Sequence, residues 1–185
     1  MAEFKTTQIW ARMVKYFFEE KLNIGVYYSH FRYDIFPEDY ITILLPYSNS
    51  RNMLSYDDIQ EIREFFVKDL EMKEGNKGFK KELEDMREDG IKNGILNLEF
   101  YYNALFVIEI PLIYAKIDSK EYFFLSQIII ENKEDDEEMN EMLINKAMKI
   151  LEGTNVLKEL MEGWKKYEEK EKRTIEETDK YPRSW

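Results

Sequence analysis

The sequence predicts an α+β fold: an antiparallel sheet of about five strands, built from hairpins, covered by four to five helices and followed by a charged C-terminal helix and tail. Three observations predict it. Apolar side chains recur at three- and four-residue spacing from Thr6 to Leu22, they alternate with period two between Ile95 and Ile110, and the strands fall into hairpins with helices grouped between them, not into alternating strand-helix units.

In the first helix, Ile9, Trp10, Met13, Val14, Phe17 and Phe18 form one face, with Gln8, Arg12, Lys15 and Glu19 on the other. Two aromatic and β-branched runs follow, 24–33 and 40–47, separated by Phe36-Pro37-Glu38-Asp39, which reads as a hairpin turn. Ser55 and Asp58 make a short capping box, and Ile59, Ile62, Phe66 and Leu70 trace a helix expected to run to about Lys73. After a Gly75–Gly78 break, Phe79, Leu83 and Met86 mark a thin, charged helix ending near Gly90.

Between Ile95 and Ile110 every even-numbered residue is apolar, which requires a half-buried antiparallel sheet, either one long strand or two broken near Asn103. Asp118-Ser119-Lys120 joins the strand 112–117 to the strand 122–130. Pro111 lacks an N–H and so belongs at a bulge or an edge. The run 134–138 opens a helix carrying Met139, Leu143, Ala147, Ile150 and Leu151. Gly153 ends it, and Thr154 caps another helix with Val156, Leu157, Leu160, Met161 and Trp164 as its buried face. The organisation expected is one domain over 1–165, with a helical extension and mobile tail over 166–185.

Composition narrows the function. The formal charge of -11 is concentrated: residues 57–90 and 131–185 each carry a net -5. A chain this acidic repels phosphate backbones and anionic lipid, so neither direct nucleic-acid nor membrane binding is expected. With no cysteine there is no disulfide, no thiolate nucleophile and no Cys-ligated metal, which fits a reducing, cytoplasmic setting. The N-terminus lacks the apolar core and cleavage site of a secretory signal, and no apolar run reaches a membrane-spanning length. The bias toward Lys, Glu, Ile, Tyr and Phe matches an AT-rich genome such as that of a low-GC bacterium or its phage.

Catalytic constellations are sparse. His30 is the sole histidine and has no partner at ligand or triad spacing, so an ordinary strand histidine is the expected reading. No phosphate-binding glycine loop occurs. The sharpest chemical motif is Glu131-Asn132-Lys133 directly after an apolar strand. Over three residues this resembles the acid-x-lysine half of the PD-(D/E)xK metal-dependent nucleases, in which two carboxylates hold Mg²⁺ and the lysine helps activate water. Glu109, facing back across the hairpin, is the one plausible second acid.

The remaining signal is for binding. Helical carboxylates at Asp57, Asp58, Glu61 and Glu64, and at Glu134, Asp135, Asp136, Glu137 and Glu138, form arrays of the kind that phage-encoded inhibitors and some toxin-immunity proteins use to imitate nucleic acid. Adjacent tyrosines such as Tyr101 and Tyr102 must face opposite sides of a strand, leaving some exposed for protein contact. The leading expectation is a non-enzymatic protein, needing no cofactor or metal, that occupies a partner protein such as a nucleic-acid-binding enzyme. A metal-dependent nuclease using Glu109, Glu131 and Lys133 is the enzymatic alternative, and a homo-oligomeric structural protein is the third reading.

Overall fold

The computed structural model describes residues 6–24, 39–44, 52–75, 78–133, 136–163, 165 and 169. Its elements in chain order are α1 (Thr6–Lys21), β1 (Asp39–Leu44), β2 (Met53–Leu54), α2 (Tyr56–Glu64, prolonged by a π-turn over Phe65–Asp69), β3 (Lys73–Glu74), α3 (Phe79–Glu88), β4 (Asn93–Tyr102), β5 (Phe106–Ile117), β6 (Lys120–Leu125), β7 (Gln127–Asn132) and α4 (Glu137–Leu151). A fifth helix, α5, occupies 155–163. The α+β expectation holds, with seven strands in place of about five, because β2 and β3 are two-residue additions to the sheet edges.

The 12-residue strand β5 organises the sheet. One edge pairs with β4 from Ala115 opposite Asn93 to Phe106 opposite Tyr102. The other edge is divided. Residues 112–117 pair with β6 and residues 106–109 with β7. β2 then adds to β6, β1 to β7 and β3 to β4, and every pairing is antiparallel.

A one-residue slip separates the two halves of that second edge. Leu112 faces Leu125, so an unbroken ladder would put Ile128 opposite Glu109, yet Ile129 stands there. The extra residue, at the Ser126 break, is a β-bulge. Its position follows from Pro111. The Lys116 N–H donates to the Lys92 carbonyl of the β4 side (2.7 Å), so even-numbered β5 residues direct their N–H groups toward β4 and odd ones toward β6 and β7. Pro111 has no N–H to offer on that side, and the ladder is interrupted opposite it. The bulge also switches parity: Phe123 and Leu125 point inward from β6, Ile128 and Ile130 from β7, and all four are buried.

The even-numbered pattern is realised on the inner face by Leu96, Leu98, Phe100, Phe106, Ile108 and Ile110, each at most 1% exposed. Ala104 is the exception, since the alternation breaks there into two strands. Asn103 (φ 51°) and Ala104 (φ 59°) form the β4–β5 turn, and Asp118 (φ 50°) and Ser119 (φ 67°) form the β5–β6 turn, two left-handed residues in succession as the twist of tight hairpins demands.

The helices stack on this inner face through aromatic contacts. Trp10 of α1 is fully buried, lies edge-on to Phe106 (4.7 Å between centroids) and donates its indole N–H to the Leu143 carbonyl of α4 (2.8 Å). Phe66 of the π-turn stacks on Phe100, and Phe79 of α3 meets Phe123. The capping box forms: the Ser55 hydroxyl accepts from the Asp58 N–H while the Asp58 carboxylate accepts from the Ser55 N–H. The helix stops at Leu70, short of the expected Lys73. The Leu70 N–H reaches back five residues to the Phe65 carbonyl, and Glu71 (φ 56°) then turns the chain into β3. Glu74 of β3 accepts from Arg63 of α2 and from the Phe79 N–H, so a carboxylate supplies the start of α3 with the cap that Gly78 lacks.

Asp136 caps α4, accepting from the Met139 N–H. Gly153 (φ 78°) ends that helix, and the Thr154 hydroxyl accepts from Leu157 to start α5. Leu160 is buried there as expected. Met161 is 43% exposed and not part of the buried face, because only one side of α5 reaches the core. The first strand of the expected N-terminal hairpin and its turn, His30, Tyr27, Tyr28, Phe31, Tyr33, Glu134, Asp135, Trp164 and the tail beyond 169 lie outside the described residues. Among the described residues no helix is long and apolar enough to cross a membrane.

Deleting Ser126 removes the bulge and turns Ile128 and Ile130 outward, so this variant is expected to lose cooperative urea unfolding. Pro111→Ala, which restores an N–H at an already interrupted point, costs at most about 1 kcal/mol in the same measurement.

A candidate binding groove beside the second helix

The spacing that sends Ile59 and Ile62 of α2 into the core sets Asp57, Glu61 and Glu64 along its exposed side, three and four residues apart. Asp58, nominated with them, is engaged in the capping box. Glu64 reaches Lys68 at 3.6 Å, but both side chains are well exposed, so the pair contributes little and leaves the carboxylate accessible. The π-turn then brings Asp69 round to the same side.

Glu61, Glu64 and Asp69 rim a groove of about 390 Å³, completed by Tyr16, Phe17 and Lys21 of α1, Phe65 and Ile150 of α4. Its floor is a pair of parallel rings, Phe17 on Phe65, with centroids 3.9 Å apart and planes within 8°. The carboxylates can accept charge-assisted hydrogen bonds, while Phe17 and Phe65, buried and stacked on each other, give the groove an apolar lining. An arginine or lysine side chain, with an apolar stem and a charged head, matches this lining.

The other nominated residues do not join this groove. Asp136, Glu137 and Glu138 are exposed at the start of α4, and Asp136 is its cap. They stand about 18 to 21 Å along the helix from Ile150, so the acids form two separate sites. Tyr101 and Tyr102 lie on opposite faces of the sheet. The Tyr102 hydroxyl donates to the Met142 sulfur (3.4 Å), and the Lys146 ammonium sits 5.4 Å from its ring centroid, so that tyrosine belongs to the helical side. On the outer face the Tyr101 ring lies against Gly75, where an added Cβ would come within 2.0 Å of it, and its hydroxyl donates to Glu99. That bond and burial push the Tyr101 phenol up to about 12.

Glu109 and Glu131 do share the outer face. Glu109 stands opposite Glu99 on β4 and Ile129 on β7, while Glu131 stands opposite Val107, so the two carboxylates are diagonal neighbours, not a facing pair. Lys133 is exposed beyond the end of β7, its backbone N–H donating to the Leu105 carbonyl. Among the described residues no three acidic or histidine side chains converge as a metal site requires.

The remaining charged network is structural. The Tyr114 hydroxyl donates to Glu121 (2.7 Å), which Arg87 of α3 grips through two nitrogens. Arg87 is the main reason the Glu121 carboxyl is held below its usual range, and burial is the main reason Tyr114 rises to about 12.

Sequence reading missed Phe65, Asp69 and the α1 side of the groove. A strict α-helical stripe runs 59, 62, 66, 70 and passes over Phe65; only the π-turn admits it, and adjacent phenylalanines at 65 and 66 are the sole hint.

Tyr101 and Tyr114 favour the protonated phenol when folded, so the stability they contribute is whole below pH 10 and is lost as pH rises from 10 toward 12. Ultraviolet titration should show two phenols near 12, one of which disappears in Tyr101→Phe, and Gly75→Ala, which displaces the Tyr101 ring, should move that one back toward 10. No family model, curated protein or solved structure matches this chain.

Proposed function

We propose that this chain is a non-enzymatic binding protein that acts by occupying a basic partner protein, with the acidic side of α2 and the groove beside it as the contact region. One observation carries the reading: Glu61, Glu64 and Asp69 line one groove with the stacked Phe17 and Phe65. An inserted cationic side chain would exchange water for rings and carboxylates together, which is how a single anchor residue dominates an interface. Asp57, Glu61 and Glu64 extend the charge along the helix, and such a row can stand in for phosphates. On that mode the partner is a nucleic-acid-binding enzyme and the outcome is inhibition by mimicry. The absence of cysteine supports a cytoplasmic setting.

The test is affinity capture at low and physiological salt with the wild-type chain and with Glu61→Lys/Glu64→Lys, followed by binding of the purified partner. A basic protein held by wild type and lost by at least about tenfold in the variant is expected, since two carboxylates in contact with a cation contribute more than about 1.4 kcal/mol. Displacement by DNA or RNA identifies mimicry. Equal capture by both forms, or no stoichiometric partner at either salt, overturns the proposal.

The shared face of Glu109 and Glu131 is the one observation favouring metal-dependent nuclease activity. Incubation with DNA and RNA plus Mg²⁺ or Mn²⁺ is expected to give no cleavage that Glu131→Ala abolishes.

A further inference from the structure

The outer face of the sheet carries a second surface. Register places Ile95, Ile113, Phe124 and Met53 directly opposite one another on β4, β5, β6 and β2, so four strands contribute one continuous apolar row. Ile95 is 66% exposed, Ile113 40% and Met53 37%, and Ile117, further along β5, is 57% exposed. Ordinary outward faces of antiparallel sheets are polar, and an in-register apolar row marks an interaction site.

Charge on either side of the row specifies the occupant. Four residues along β5 in one direction stands Glu109, with Glu99 beside it on β4; four residues in the other stands Ile117, with Lys120 beside it on β6. A two-fold axis lying along the row reverses strand direction, so it sets each row residue over its own copy and brings the acidic end of one chain over the Lys120 end of the other. Both ends are satisfied by the same rotation, which is the self-complementarity a closed dimer requires.

We infer that this face is the interface of a symmetric homodimer, sheet against sheet, centred on Ile113. Three strands at about 4.8 Å spacing, from Val107 to Ile117 at about 3.4 Å per residue, with the two residues of β2 beside them, outline roughly 520 Å² per copy and roughly 1,050 Å² for the pair, at the low end of specific interfaces. The repulsion of two chains of charge -11 is screened beyond about 8 Å at physiological ionic strength, whereas the apposed row is in contact. The α2 groove lies on the helical side and stays open, so this inference does not depend on the proposed partner.

Sedimentation equilibrium of the full chain should give twice the 22.5 kDa monomer mass at micromolar concentration. Ile113→Lys should raise the dimer dissociation constant at least about 100-fold, since it places a charge on the axis, with circular dichroism unchanged and a urea midpoint that no longer depends on protein concentration. Glu109→Lys and Lys120→Glu should each weaken the dimer about fivefold and together restore it. The chain lacks cysteine, so one introduced at Ile113→Cys reports the axis. Facing sheets stand about 10 Å apart, too far for a disulfide but within reach of a short bis-maleimide. Ile113→Cys should cross-link, and Glu84→Cys on α3 should not. A monomer at about 100 µM, well above a micromolar dissociation constant, a dimer undisturbed by Ile113→Lys, or equal cross-linking at both cysteines overturns the inference.

Discussion

The inability of Pro111 to donate a hydrogen bond from the middle of β5 is the constraint from which the sheet's layout follows. An interior strand ordinarily satisfies both edges along its whole length, and a proline there leaves one acceptor on the neighbouring strand without a donor. The fold resolves this by placing the break between β6 and β7 opposite Pro111, with one extra residue. The two half-strands are thereby free to recruit different outer neighbours, β2 and β1, and to keep their isoleucines, phenylalanine and leucine inward despite opposite parity.

Because α1, α2, α3 and α4 pack on the inner face, the other face keeps whatever pattern its alternate residues dictate. Those residues divide along the strands. Near β7 they are Glu99, Tyr101, Glu109 and Glu131, with Val107 and Ile129 between them; near β6 they include Ile95, Ile113, Phe124 and, on β2, Met53. The bulge lies between the acidic and the apolar halves, so a single backbone irregularity separates two kinds of surface. Placing the acids nearer to β7 also keeps their charge away from the apolar row.

Much of this was legible in the sequence, and the reasons are physical. Period-two alternation survives any tertiary detail, so the β4–β5 pair, its inner face and the Asp118–Ser119 turn could be read directly. Ser55 with Asp58, Gly153 and Thr154 act within one turn of themselves, so local spacing sufficed for these caps. What escaped depended on distant partners. The π-turn at Phe65–Asp69 arises because Phe17 and Phe100 together demand both Phe65 and Phe66, and neither ring is near them in the chain. The groove inherits that invisibility: Glu61 and Glu64 were nominated from charge alone, but their relation to Lys21, Asp69 and the aromatic floor is made by packing. Likewise Tyr101 and Tyr102 had to diverge, and the sequence could not say which would meet Met142 and which Glu99.

The two surfaces impose different demands, and the fold keeps them apart by putting the whole core between them. A groove for a cation works best when its carboxylates remain hydrated until the partner arrives, which suits the exposed side of a short helix with a mobile ion pair such as Glu64–Lys68. A sheet-to-sheet contact works best on rigid backbone, and β5, at the centre of the row, is the most extensively paired of the described strands. If two chains join through that sheet, their grooves face outward on opposite sides, about two domain thicknesses apart. Two cation sites at fixed separation then bind a repetitive or dimeric basic partner with an effective concentration that neither site has alone. In that arrangement the apolar row contributes nothing to recognition directly. It converts a weak, salt-sensitive contact into a bivalent one, and so makes modest single-site affinity compatible with stable occupation of a partner.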